Sequence, residues 1–150
     1  MTTTVAFADL QTLVGQNLGY SDWFDVTQER INTFADATDD HQWIHVDPER
    51  AKEGPFGAPI AHGFLTLALF IPLWVDLVYV QGATTKVNYG LDKVRFVSPV
   101  PAGSRIRLTA TVAEVSEAGG GIQMTVDATI EIEGGTKPAV VARSLQRFYA

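Results

Sequence analysis

The sequence predicts an α+β fold in which one long, central apolar helix is wrapped by a curved antiparallel sheet. Three observations carry that expectation. Residues 64–80 are apolar on nearly every face. From Gly82 onward the apolar spacing changes from helical to a period of two. The chain has 150 residues, 46% of them hydrophobic, which suits one sizeable core, so residues 1–150 read as a single domain. A helix that is apolar all round has to be covered all round. One sheet of this size covers it only partly. A second copy would extend the sheet and protect its edges, so a homodimer is expected.

The elements follow in order. The first 20 residues are weakly patterned, with a short helical turn at 9–14 stopped by Gly15. Residues 23–26 read as a short strand. Thr27 then stands as an N-cap with Glu29 behind it, and Ile31, Phe34, Ala35 and Thr38 recur at helical spacing, predicting a helix over 27–38. The polar stretch 39–47 reads as a loop. Asp47 and Pro48 start a short helix that ends near Gly54. Residues 54–59 form a loop, and the long apolar helix spans about 60–80. Residues 83–97 form an irregular strand, with a bulge expected near Asp92 and Lys93. Ile106, Leu108, Ala110 and Val112 alternate with polar neighbours, as do Ile122, Met124, Val126, Ala128, Ile130 and Ile132. These are half-buried antiparallel strands, with hairpin turns at 119–121 and 134–135. Residues 140–149 form the last strand, completing a four-strand antiparallel run.

Composition excludes several function classes. The chain has no cysteine, so disulfides, thiolate metal sites and cysteine nucleophiles are impossible. A net charge of −6 argues against a nucleic-acid footprint. The charge is uneven: residues 1–80 hold 11 acids and 3 bases, and residues 81–150 hold 6 acids and 8 bases. An anionic ligand would find its cations in the second half. The N-terminus lacks a basic region followed by an apolar run, so no signal peptide is read. The apolar run at 64–80 contains Pro72 and Asp76 and falls short of the ~20 residues a spanning helix needs. A cytoplasmic protein that does not enter a membrane is expected.

The polar stretch holds Asp39, Asp40, His41, His45 and Asp47. Three readings of it stand. His41 and His45 with the carboxylates would suit a metal, although their spacing puts both rings on one face only in a helix. The same residues would serve as caps and turn formers. Or Asp40 and His45 handle a water, one as base and acceptor, the other titrating near neutrality. A second signal is Gly63 at the start of the apolar helix. Free backbone N–H groups point outward there, and glycine admits a close approach, so a carbonyl oxygen would be polarised.

Segment 34–51, with Asp40, His45, Asp47 and Ala51, followed by Pro59, Ile60, His62, Gly63 and Phe64, resembles the MaoC-like family of (R)-specific enoyl-CoA hydratases and related dehydratases. The resemblance extends to segment 89–96 and to Pro99, Pro101 and Gly103, covering roughly residues 20–150. It implies a hot-dog fold, and addition of water to a trans-2-enoyl thioester to give the (R)-3-hydroxyacyl thioester. It implies Asp40 and His45 as the catalytic pair and Gly63 as the N–H that binds the thioester carbonyl. It implies acyl-CoA as substrate and no cofactor or metal. Lys86, Arg95 and Arg143 are candidates for the CoA phosphates. Gln42 and Trp43 stand where the family has Asn-Pro, a departure similar to the NodN-like subgroup, and Trp43 adds bulk that would change acyl selectivity. Asp39 puts a like charge beside Asp40. His62 is left without a chemical role. The alternatives are a dehydratase on carrier-protein substrates, a thioesterase, a non-catalytic acyl-binding subunit, or a ligand barrel.

Overall fold

The computed structural model describes residues 2–150. Strand β1 (Thr3–Ala6) runs into a 3-10 turn at Phe7–Leu13, where a helical turn is expected. Strands β2 (Asn17–Tyr20) and β3 (Phe24–Val26) follow. Helix α1 (Gln28–Thr38) begins as the sequence predicts, because the Thr27 hydroxyl accepts the Arg30 N–H at 3.1 Å. It ends where Asp39 takes a left-handed conformation, φ 58°. Aspartate tolerates that region better than most residues, and the reversal turns Asp40 back across the helix end.

The stretch after Asp40 departs from expectation. A single turn of helix, α2 (Trp43–Val46), stands where a loop is predicted. It abuts α3 (Pro48–Lys52), whose Asp47 cap accepts the Arg50 N–H.

The central helix is also corrected. It is α4 (Gly63–Ala68) and α5 (Phe70–Leu77), interrupted at Leu69. Proline cannot donate to a carbonyl four residues back, and restarting the helix at Phe70 puts Pro72 in a first turn, where no donor is needed. The helix ends at Leu77 because the next residues form a strand, β4 (Val78–Gln81), paired parallel with β1. Nor is it buried on every side within one chain. Leu65, Phe70, Leu73, Trp74 and Leu77 are buried, whereas Phe64 is 69% and Val75 52% exposed.

The remaining strands are β5 (Thr85–Phe96), β6 (Ser104–Ala118), β7 (Gly121–Ile132) and β8 (Val140–Tyr149). They form a sheet in the order β2-β6-β7-β8-β5, with β3 also paired to β6. Two short N-terminal strands therefore extend the predicted four-strand run, and the sheet stays open. Its inner face is the predicted one: Ile106, Leu108, Ala110, Val112, Val126, Ala128 and Ile130 are buried. Gly119 and Gly120 close the β6–β7 hairpin, both at positive φ, as a two-residue turn that matches strand twist requires. The expected irregularity in β5 is present twice, between Asn88 and Gly90 and between Leu91 and Lys93. No helix among the described residues is long and apolar enough to cross a membrane.

Leu108 is fully buried where β6 meets the helix core. We expect Leu108→Ala to lower unfolding free energy by about 2–5 kcal/mol, measured by urea denaturation.

Candidate active site

The site grows from two turns brought together by backbone pairing. The Ile60 N–H donates to the Ile44 carbonyl at 3.0 Å, and Ile60 also bridges to Pro101. This fixes α2 against the segment that enters α4. The Gln28 side chain donates to the His45 carbonyl at 2.7 Å, adding α1 to the assembly. The turn is a tertiary product, which is why local pattern does not reveal it.

His45 lies inside this junction, 7% exposed. Its Nδ1 is 2.6 Å from the Ile60 carbonyl. A carbonyl only accepts, so Nδ1 carries the proton and Nε2 keeps a lone pair in the neutral ring. Burial holds the His45 pKa below its ordinary value, against the hydrogen bond to Ile60, which raises it; His62 lowers it and Asp40 raises it. The ring is therefore a neutral base near pH 7.

Asp40 is exposed, and its carboxylate takes no hydrogen bond from the described residues. Its main-chain carbonyl accepts from His62 Nε2 at 2.9 Å. The donor atoms of Asp40, His45 and His62 lie within 4.8 Å of one another. His45 and His62 stack, centroids 3.9 Å apart and planes 23° apart. In-plane lone pairs on stacked rings run side by side rather than to one point, so this trio is poorly shaped for a single metal ion. The metal reading of His41 with His45 has no support in the geometry either, because His41 turns to Asp36 at 2.8 Å.

Gly63 is the first residue of α4, directly after His62, and no side chain caps that end. Its N–H is unused by the helix. A Cβ there would lie 3.2 Å from the Phe96 ring, so a larger residue would press that ring outward by a few tenths of an ångström. A cavity of about 310 Å³ opens at this point, lined among others by Phe56, Ile60, Gly63, Thr66, Phe96 and Val100.

Other expectations fare differently. Asp39 and Asp40 are both exposed, so a buried like-charge pair does not form. Trp43 packs on Gly54 and under the Arg50 guanidinium, 4.3 Å from its centroid, and does not line the cavity at Gly63. Arg143 is engaged by Asp127 through two bonds of 2.8 and 2.9 Å, whereas Lys86 and Arg95 are exposed on β5 without a carboxylate partner among the described residues. His62, 2% exposed, is the residue the sequence reading leaves without a role. A signal was present: the chain has three histidines, and this one directly precedes the candidate carbonyl-binding glycine.

The MaoC like domain matches residues 9–133. Over its whole length the chain is 54% identical to 3-hydroxyacyl-thioester dehydratase Z of Mycobacterium tuberculosis (strain H37Rv), covering 100% of both proteins. It is 46% identical to nodulation protein N of Rhizobium leguminosarum bv. viciae over 92% of this chain and 88% of that one. In fold it is similar to the (R)-hydratase from A. caviae involved in PHA biosynthesis, with a TM-score of 0.74 at 24% identity, covering 91% and 96% of the two chains. The chain therefore belongs to the MaoC-like family. Its fold is the hot dog, and it is a hydro-lyase of the MaoC hydratase/dehydratase type.

His45 gives a signed pH dependence. A histidine held neutral by burial stabilises the fold fully above the ordinary imidazole value of about 6.5, and the contribution is lost as pH falls below it. The Asp127 carboxyl is depressed by its bond to Arg143, and its contribution is lost only below about 3.9, a separate window. We expect urea unfolding free energy to drop as pH falls below about 6.5 in the wild type, and to drop less in His45→Gln.

Proposed function

We propose that this chain adds water to trans-2-enoyl-CoA to give (R)-3-hydroxyacyl-CoA, and catalyses the reverse dehydration at the same site. Asp40 and His45 are the acid–base pair, and the Gly63 N–H holds the thioester carbonyl. The observation that carries the reading is the convergence of Asp40 with a neutral His45 whose Nδ1 is already committed to Ile60. The lone pair of Nε2 then remains as a base.

The step follows from ordinary polarity. A hydrogen bond to the carbonyl oxygen draws electrons from the conjugated double bond and makes the β-carbon electrophilic. The pair takes a proton from water as its oxygen bonds to that carbon, and a proton is returned to the α-carbon. Dehydration is the same path reversed, with the α-proton removed and the β-hydroxyl protonated as it leaves. Water is all that is transferred, so the step calls for no redox equivalent. The name of the mycobacterial relative, a 3-hydroxyacyl-thioester dehydratase, supports a hydroxyacyl thioester as the substrate class.

The functional unit is a homodimer in this reading. The uncovered face of the helix presents Phe64, Ile71 and Val75, and the unpaired edge strand β5 presents Val87, Tyr89 and Leu91. Exposed apolar side chains beside an open sheet edge are ordinarily covered. Light scattering should return about twice the 16.3 kDa chain mass; a mass of one chain at assay concentration overturns the dimer.

The activity test is the loss of enoyl absorbance from crotonyl-CoA, with the chirality of the product determined. Asp40→Asn and His45→Gln should each lower kcat by about 10²–10⁴-fold with the fold retained. Undiminished turnover in either variant, or an (S)-alcohol product, rules the assignment out. Release of free CoA instead would indicate a thioesterase.

A further inference from the structure

His62 is buried at a cost. Its Nδ1 has no hydrogen-bond partner, although the ring is 2% exposed. A polar atom buried without a partner is unfavourable, and an apolar side chain of similar size would fill the space without that penalty. The ring is sandwiched between Phe34, centroid 4.9 Å away, and His45 at 3.9 Å. What an apolar residue would not supply is the Nε2–H that reaches the Asp40 carbonyl.

We propose that His62 is a positioning residue, whose Nε2–H holds the main chain of Asp40 while its ring seats His45, so that one side chain sets the separation of the acid–base pair. The inference rests on the reaction assigned above and deepens it. Three parts of the site meet at this residue. The Asp40 loop hangs from its donor. The His45 ring lies flat on it. Gly63, its neighbour in the chain, begins α4. A shift of this ring therefore displaces the carboxylate, the base and the carbonyl donor together. Misplacement of reacting groups by about 1 Å is enough to cost roughly 100-fold in rate.

The titratable groups that face His45 are His62 and Asp40, acting in opposite directions. Replacing His62 by glutamine removes one cause that lowers the His45 pKa, so that pKa should rise.

The test compares His62→Leu, which removes the donor, with His62→Gln, whose amide N–H reaches a similar distance. Crotonyl-CoA hydration is followed with melting curves as a check on folding. His62→Leu should lose kcat by about 10–100-fold with KM within about threefold, and His62→Gln should return to within about fivefold of wild type. A leucine variant as fast as wild type overturns the proposal. So do leucine and glutamine variants equally impaired, since packing alone would give that. A second readout needs no turnover. The chain has three histidines, so His62→Gln leaves two ring signals to titrate by NMR. The His45 midpoint should move to higher pH in that variant. An unmoved midpoint overturns the proposal. A wild-type protein inert on every thioester, but with the midpoint shift present, would overturn the assigned reaction and leave the arrangement of the rings standing.

Discussion

The site depends on one hydrogen bond, from His45 Nδ1 to the Ile60 carbonyl at 2.6 Å. It fixes the tautomer, so the free lone pair sits on Nε2. It ties α2, which carries His45, to the segment that becomes α4, which begins at Gly63. The reciprocal main-chain bond from Ile60 N–H to Ile44 turns this into a two-point clamp, and the bridge from Ile60 to Pro101 anchors the clamp to the lead-in of β6. A polar ring at this depth is tolerated because its donor is satisfied. Burial keeps the ring neutral, so the same placement that makes His45 costly to charge makes it serviceable as a base.

What could be read without coordinates was what local chemistry decides. The Thr27 cap starts α1 through a bond to a residue three positions on. The alternation in β6 and β7 records directly which face is buried. Asp40 and His45 stood out because their residue types and spacing belong to a specific pattern. The parts that could not be read are decided by distant partners. Residues 78–81 are apolar enough for a helix and become a strand because 3–6 lie alongside. The α2 turn exists because Ile60 holds Ile44. The sequence reading carries one helix straight through Pro72, and the interruption at Leu69 follows from where a proline is tolerated.

Charge in the second half of the chain also divides on structural grounds. Arg105, Arg107 and Arg143 are paired across strands with Glu133, Glu131 and Asp127. These pairs decorate the outer face of the sheet, where exposed ion pairs contribute little individually. Lys86, Lys93 and Arg95 sit instead on the edge strand. Three of the eight bases of residues 81–150 are thus paired on the sheet's outer face, and three more stand on its edge strand.

The two bulges in β5 have a consequence for what that edge can recognise. A long exposed edge is a template for any extended peptide, and a flat strand laid along it would gain a row of main-chain bonds. Here the template is interrupted twice within a few residues, between Asn88 and Gly90 and between Leu91 and Lys93. Each interruption shifts the hydrogen-bonding phase and increases the local twist. A regular strand falls out of step at the first and again at the second. The bulges thus blunt this edge against the addition of a regular strand, which guards the folded chain against fibrous association.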